Sequence, residues 1–543
     1  MTPEQLSAAI VGVLEALSAE GELTLPDGVP SAVTVERPRQ REHGDYATNV
    51  ALQLAKKAGK NPRDLAGQIQ DRLVKVEGIA RVEIAGPGFL NITVETGAQG
   101  VVAEQIVAAG ASYGRQESTG LKVNVEFISA NPTGPIHLGH TRWAVVGDAL
   151  ARVLEAAGAE VTREFYINDR GRQMDLFGES LRAAAAGLPV PDDGYHGAYI
   201  SELARQVKQE QPDSTTMEEF REKGYELQLK EQQEELARFN TRMDVWFSER
   251  ALHQGDVAAQ LEKLRDLGHL YDADGALWMR TTDFGDDKDR VLIRSNGELT
   301  YFASDTAYYV NKRSRGFDKC IYLLGADHHG YVGRLKAMAA CAGDDPEENI
   351  EVLIGQLVKI VRGSEEVKLS KRAGDLVTLL ELMEEIGVDP LRYSLARYPQ
   401  DSPLTLDIEQ ITRASNDNPV YYVQYVAART ASILRNAADL ELAPESHPEL
   451  LTHEKEGDLL RALAEFPRVV QGAADLREPH RIARYLEDTA ATFHRFYDEC
   501  RVLPKGDEEP GDLHRARLVL VRATRIVFEN GLDLLGVTAP ERM

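Results

Sequence analysis

Lys122-Val123-Asn124-Val125-Glu126-Phe127-Ile128-Ser129-Ala130-Asn131-Pro132-Thr133-Gly134-Pro135-Ile136-His137-Leu138-Gly139-His140 is the stretch around which the rest of the chain can be ordered. Residues 122–128 alternate polar and apolar side chains, the period of a strand. Ser129 to Pro135 are turn formers. From Ile136 a helix is predicted, its apolar positions Val146, Ala149, Leu150, Val153 and Leu154 recurring at helical spacing until Gly158 stops it. A strand–turn–helix of this kind presents backbone N–H groups at the helix N-terminus, where an anion is favoured. His137 and His140 sit three apart in that first turn, on one face. Gly139 leaves the backbone bare, so a flat ring could lie against it. Taken alone, HLGH is also compatible with zinc ligation or with ordinary helix capping, although no further ligand residues cluster beside it.

Downstream, a second strand is expected over 160–167, closed by Tyr166-Ile167-Asn168-Asp169-Arg170-Gly171-Arg172-Gln173. Strand, helix and strand at this spacing predict a parallel, Rossmann-like sheet with ligands at the carboxyl ends of its strands. Residues 175–249 turn polar and helical and read as an insertion, mostly scaffold. The sheet is expected to resume with β segments at 275–280, 291–294 and 300–302, then a buried apolar strand at 319–324 ending in Gly325-Ala326-Asp327-His328-His329-Gly330, a helix at 332–341 and a strand at 350–354. From about 376 helical periods cover 377–387, 391–398, 407–439, 457–476, 480–500 and 513–534. Upstream, a helix at 4–19, a short strand at 32–35, helices at 45–58 and 63–75, strands at 79–84 and 89–94 and a helix at 101–109 form a separate unit. Its Arg37, Arg39, Arg41, Lys56, Lys57 and Lys60 give it local positive charge. The expected organisation is an α+β domain over 1–113, an α/β parallel-sheet core over 114–385 and an all-α bundle over 386–543.

A chain of 543 residues has room for several cores. Its net charge of −25 and pI of about 5.1 repel nucleic acid in bulk, so any RNA must be held by a local basic face. Cys320, Cys341 and Cys500 are scattered and lack metal-site spacing, which suits a reducing cytoplasm. The acidic start, Met1-Thr2-Pro3-Glu4-Gln5, lacks the basic region of a signal peptide, and no apolar run approaches membrane-spanning length.

A second motif, Lys368-Leu369-Ser370-Lys371-Arg372-Ala373-Gly374, follows the last predicted sheet strand. Two lysines three apart, flanked by Ser and Gly, can fold over a polyphosphate as mobile point charges. HLGH resembles the "HIGH" signature of class I aminoacyl-tRNA synthetases, and this run resembles their "KMSKS" loop, with Leu369 for Met and Arg372 for the last Ser. Glu126–Pro135, Tyr301-Phe302-Ala303-Ser304-Asp305, Gly325–Tyr331, Asn418–Tyr425, Gly86–Asn91 and the ending Ala539-Pro540-Glu541-Arg542-Met543 are similar to the bacterial arginyl-tRNA synthetase family, in order and over essentially the whole length.

That resemblance implies an α/β Rossmann-like (HUP-type) catalytic core and a two-step reaction in which arginine is activated by ATP, with accompanying Mg²⁺, and passed to the 2′-hydroxyl of the terminal adenosine of tRNA(Arg), activation requiring bound tRNA. No tightly held, protein-ligated metal is implied. His137, His140, Lys368 and Lys371 would be catalytic; Gly134, Gly139, Asp327, His328, His329 and Ser370 would join them around ATP. Lys371 is a departure, since many family members lack the second lysine. Arginine would be read by Glu126, Ser129, Asn131, Tyr301 and Asp305, the last two lying four apart on one helical face. Taken singly, Asp305 reads by default as a helix cap and Tyr301 as a core aromatic. Tyr421, Tyr422, Tyr425 and Arg429 would suit an anticodon loop, or else bundle core. Arg461, Arg468, Arg477, Arg481, Arg484, Arg495, Arg501, Arg515, Arg517, Arg522 and Arg525 would offer RNA a basic surface. The family implies a cytoplasmic monomer without membrane attachment. The competing readings are a class I synthetase for another amino acid, such as cysteine, and an inactive RNA-binding paralogue.

Overall fold

Leu6, Ile10, Val13, Leu14 and Leu17 are all buried along one face of α1 (Pro3–Ala19), which begins at a reciprocal Thr2–Gln5 capping box. The computed structural model describes the chain except residues 39, 41, 42, 254, 255, 364 and 368–376, and the side chains of 96–99, 256, 258, 259, 262 and 327–329. Arg39 and Arg41 therefore lie outside the described residues. After α1 come β1 (Tyr46–Thr48), α2 (Val50–Ala55), α3 (Pro62–Leu73), β2 (Ile79–Ala85) and β3 (Phe89–Val94), the strands forming an antiparallel sheet of order β1-β3-β2. The strand expected at 32–35 is not a ladder. Ser7 Oγ bonds both backbone groups of Val33, and Thr48 Oγ1 donates to the carbonyl of Thr34. The helix expected from 45 starts at 50, because 46–48 pairs with β3.

Next, α4 (Thr96–Ala109) buries Val102, Ala103 and Ile106 in the core shared with the C-terminal helices. The α/β region follows as β4 (Lys122–Glu126), α5 (Leu138–Ala156), β5 (Glu160–Ile167), α6 (Arg172–Ala185), α7 (Ala198–Glu210), α8 (Met217–Arg238), β6 (Val245–Ser248), α9 (Glu249–His253) and α10 (Asp256–Asp266). It continues with β7 (Leu270–Ala273), β8 (Ala276–Met279), β9 (Arg290–Ile293), α11 (Tyr301–Ser314), β10 (Lys319–Gly325), α12 (Val332–Cys341), β11 (Ile350–Gly355), β12 (Val358–Arg362) and β13 (Glu365–Glu366). A parallel sheet of order β11-β10-β4-β5-β6 forms the centre. The order reverses between β4 and β10, so the crevice beyond the carboxyl end of β4 is where a doubly wound sheet takes its ligands.

Three expectations are corrected here. Residues 245–248 are the edge strand β6, so the helical part of the insertion ends at α8. β7, β8 and β9 form their own antiparallel sheet rather than extending the central one. Tyr301 and Phe302 open a helix, because Thr300 caps it by accepting the N–H of Ala303.

The chain closes with α13 (Leu379–Ile386), α14 (Val388–Ala396), β14 (Leu404–Asp407), α15 (Ile408–Ile411), α16 (Pro419–Asp439), α17 (Glu454–Ala464), α18 (Phe466–Asp475), α19 (His480–Glu499) and α20 (Asp512–Leu534). β14 interrupts the expected all-helical run by pairing in parallel with β12. The bundle is joined to the first unit by Arg461, whose guanidinium reaches Asp45 at 2.8 Å, and by Arg468, which donates to the carbonyl of Val35.

The tightest seam lies at α5. Arg392 is wholly buried and donates to the Asp148 carboxylate at 2.6 Å and to the carbonyls of Phe239, Asn240 and Leu535. One turn below the helix start, Arg142 donates to the carbonyls of Gln356, Pro399 and Ser402. Trp143 lies so close to Gly355 that a Cβ there would stand 1.6 Å from its ring. In urea unfolding, Arg392→Met is expected to lose about 3 kcal/mol by leaving the buried carbonyls of Phe239 and Leu535 without their donor, while Asp148 keeps Arg152 at 2.8 Å. Lys57→Ala, which removes an exposed pair with Asp27, is expected to leave the midpoint unchanged.

Candidate active site

β4 leads into a turn in which Ile128 has φ 73° and Ser129 φ 46°. A β-branched residue takes the left-handed region only where its surroundings over-determine it. What they determine is Ser129, whose hydroxyl donates to Glu126 Oε1 at 3.0 Å and accepts the N–H of Tyr166 at 3.2 Å. Glu126 Oε2 accepts from Lys312 Nζ at 2.6 Å, and that ammonium lies 4.5 Å and 4.0 Å from the ring centres of Tyr308 and Tyr322. On the next strand Glu164 accepts from Tyr308, Arg315 and Asn124. The polar positions of β4 therefore face a buried ionic layer in which Glu126 and Glu164 each meet a cation.

The following turn is held by the insertion. Gln232 of α8 donates to the carbonyls of Asn131 and Gly134 at 3.1 and 2.7 Å, Tyr199 of α7 donates to that of Thr133 at 3.0 Å, and Asn131 Nδ2 reaches Gln173 at 2.8 Å. A cavity of about 350 Å³ lies here, lined by Asn131, Gly134, His137, His140, Tyr195 and Tyr199. The insertion, expected to be mostly scaffold, thus forms one wall of the site.

His137 is the N-cap of α5, its Nδ1 accepting the N–H of Gly139 at 3.1 Å. A Cβ at position 139 would stand 3.0 Å from the His137 ring, so any larger residue there would crowd the cap. The two imidazoles lie with centroids 3.8 Å apart and planes tilted by 37°. Burial lowers the pKa of His137; burial, with the neighbouring His137 charge, lowers that of His140 to about 3. Both rings are neutral at pH 7, and His140 Nδ1 is buried with no hydrogen-bond partner among the described residues. Lys368, Ser370 and Lys371 lie outside the described residues. The segment beyond them is described: Leu138 N–H donates to Val377 O and Leu379 N–H to Ile136 O, both at 2.8 Å. The chain leaving the lysine motif is therefore paired to the histidine turn.

Tyr301 is 81 % exposed at the first position of α11, so it is not a core aromatic. Asp305 lies one turn further into the helix, where it accepts from Tyr331, and Thr300 is the cap instead. Burial and the charges of Glu249, Asp305, Glu126 and Asp169 together push the Tyr166 phenol far up. Burial, Asp169 and Asp305 also raise Glu249. Glu249, Asp169 and Tyr166 escaped the sequence reading of the recess; the only signal was their place at the carboxyl ends of β5 and β6. Asp327, His328 and His329 fall in a 3₁₀ turn after β10, at the same end of the sheet, with side chains outside the described residues.

On the helical bundle, Tyr421 and Tyr425 stack at 6.4 Å, His494 packs 5.0 Å from Tyr422 and 5.8 Å from Tyr425, and Arg429 lies over Tyr425 and Tyr497. All four expected residues are half-buried, in a ladder that adds His494 and Tyr497 from α19. The arginines of the bundle are another matter. Arg461, Arg477, Arg481, Arg501, Arg515, Arg517 and Arg525 pair with carboxylates of this chain, and Arg468 is spent on Val35. Most of the basic surface expected from composition is internally neutralised.

Comparison with known proteins agrees with this geometry. A model of the class I (R) tRNA synthetase catalytic domain matches residues 102–392, one of the arginyl-tRNA synthetase N-terminal domain residues 4–94, and one of the DALR anticodon-binding domain residues 423–543. The chain is 55% identical to an arginine–tRNA ligase of Kineococcus radiotolerans and 56% identical to one of Renibacterium salmoninarum, with 100% of both chains covered in each case. The solved Thermus thermophilus arginyl-tRNA synthetase superposes with a TM-score of 0.77 over 100% of both chains at 23% identity, a likeness of fold. With a catalytic-domain match over half its length and full-length relatives above half identity, the chain belongs to the arginyl-tRNA synthetase family of class I aminoacyl-tRNA synthetases.

Proposed function

We propose the following division of labour for the ATP-dependent ligation of L-arginine to tRNA(Arg). ATP lies over the helix α5 start, its adenine against Gly139 and Gly134 and its phosphates beside His137 and His140. Neutral imidazoles there donate hydrogen bonds to phosphate oxygens without a fixed cation to release afterwards. Lys368 and Lys371, with Ser370, close over the β- and γ-phosphates, a role carried over from the family loop. Asp327, His328 and His329 complete the nucleotide site from the end of β10. Mg²⁺ arrives with the nucleotide and neutralises phosphate charge.

Arginine is read by Glu126, Ser129, Asn131, Tyr301 and Asp305, to which we add Glu249. The observation that carries this reading is the placement of Glu126, Asp169, Glu249 and Asp305 at the carboxyl ends of β4, β5 and β6 and near the start of α11, where their charges act together on the Tyr166 phenol. A guanidinium is planar and permanently charged, and paired carboxylate oxygens match its N–H fork. Lysine would leave part of that acceptor set unpaired, so one binding step suffices for discrimination.

The arginine carboxylate attacks the ATP α-phosphorus and pyrophosphate leaves, giving arginyl-adenylate. The 2′-hydroxyl of the terminal adenosine then attacks the acyl carbon, loses its proton, and AMP leaves. Positioning and charge stabilisation supply most of the first step's acceleration, as in other phosphoryl and nucleotidyl transfers. The half-buried ladder Tyr421, Tyr422, Tyr425 and Arg429 stacks anticodon-loop bases, and the first unit meets the tRNA elsewhere. The three domains are taken as 1–113, 114–385 and 386–543. The enzyme acts as a cytoplasmic monomer; its three cysteines are buried and unbridged, and among the described residues no helix is long and apolar enough to cross a membrane.

In tRNA-dependent ATP–pyrophosphate exchange, Asp305→Ala is expected to raise the KM for arginine about 30-fold or more while that for ATP stays within about twofold; equal rises would reduce Asp305 to a structural role. Lys371→Ala is expected to lower kcat about 10²–10³-fold, and an unchanged rate would remove the loop from the mechanism. Acid unfolding tests the histidines. Their folded pKa values lie below the unfolded value, so the unfolded chain binds more protons and stability is lost as pH falls from about 6.5 towards about 3. His140→Asn is expected to flatten that part of the stability–pH curve.

A further inference from the structure

Beside the carboxylate recess, three side chains join the loop after β5 to the helix that carries Tyr301 and Asp305. Arg170 Nη1 lies 2.7 Å from His253 Nδ1, and His253 Nε2 lies 3.1 Å from Ser304 Oγ. A guanidinium has donors and no acceptor, so Nδ1 must be the accepting, unprotonated nitrogen. The ring proton then sits on Nε2, pointing at Ser304 Oγ, with Glu249 Oε1 3.6 Å from the same nitrogen. Burial and the Arg170 charge both hold the imidazolium form down, so the ring stays neutral and in one tautomer.

Each end of this chain rests on an element that bears a recess carboxylate. Arg170 follows Asp169, whose own carboxylate is fixed by Tyr225, Ser248 and the Arg250 N–H. His253 is one helical turn after Glu249 on α9. Ser304 is the residue before Asp305 on α11.

We infer that His253, locked in its tautomer by Arg170, is a positioning residue for arginine recognition: it holds α9 against α11 and so sets the separation of Glu249 and Asp305. The inference rests on the arginine recess proposed above. The spacing of two carboxylates decides whether one guanidinium can bond both, and a shift of about 1 Å is enough to lose much of that.

The test uses the full-length enzyme with tRNA, and steady-state aminoacylation with arginine and ATP varied separately. His253→Leu fills the space but bonds to neither neighbour, whereas His253→Gln can accept from Arg170 and donate to Ser304. The leucine variant is expected to raise the KM for arginine about tenfold, leaving kcat and the KM for ATP within about twofold, while glutamine restores most of the loss. Arg170→Met should act in the same direction and add nothing to His253→Leu, as members of one relay do. An unchanged arginine KM in the leucine variant, a parallel rise for ATP, or a glutamine variant no better than leucine would overturn the relay. Asp305→Ala runs alongside. If it leaves the arginine KM unchanged, the recess and the relay both fall; if it raises it while His253→Leu does not, only the relay falls.

Discussion

A single buried cation holds together parts of the chain that are distant in sequence. The Arg392 guanidinium satisfies its N–H groups on the Asp148 carboxylate, on Thr241 and on the carbonyls of Phe239, Asn240 and Leu535. A buried ion costs several kcal/mol when its partners are lost, so these segments cannot part without stranding it. Asp148 belongs to α5, the helix whose first turn carries both imidazoles. Phe239–Thr241 ends the insertion that walls the cavity, and Leu535 ends the last helix of the bundle. Arg152 adds to the same seam through Asp148, Asp533 and the Asn240 carbonyl. The helix that carries both imidazoles and the C-terminal bundle therefore share one buried joint.

The charge distribution follows a related logic. A chain of net charge −25 might be taken as hostile to RNA throughout, with its arginine-rich helices as the remedy. Instead, much of that arginine is used inside the molecule, tying helices to each other and the bundle to the first unit. Within one sheet, Glu164 is matched by Arg315 and Tyr308 and is structural, whereas burial and the charges of Asp169 and Asp305 raise Glu249.

The order of elements was largely readable along the chain because each carried a local signal. The strand at 122–126, the helix to 156, the apolar strand at 319–325 and the long helices α19 and α20 lie where periodicity placed them. The misses share one cause. Residues 32–35, 245–248, 301–302 and 404–407 are short segments whose state depends on partners far away: Ser7 and Thr48 take the backbone of the first, β5 and β12 recruit the second and the last, and the Thr300 cap decides the third.

For the site, the sequence by itself determined the family and carried its two motifs, the histidine pair and the lysine loop, in recognisable spacing, while Glu126, Asn131, Tyr301 and Asp305 followed only from the resemblance. It could not show which carboxylates converge. Asp169 and Glu249 end two adjacent parallel strands, and only the register of that sheet brings them beside Asp305 on α11. Nor could composition separate a cation offered to RNA from one paired at home, as with Arg461 and Arg517. Both are questions of distance between residues remote in sequence. A Coulomb or hydrogen-bond term depends on that distance, and tertiary packing alone sets it.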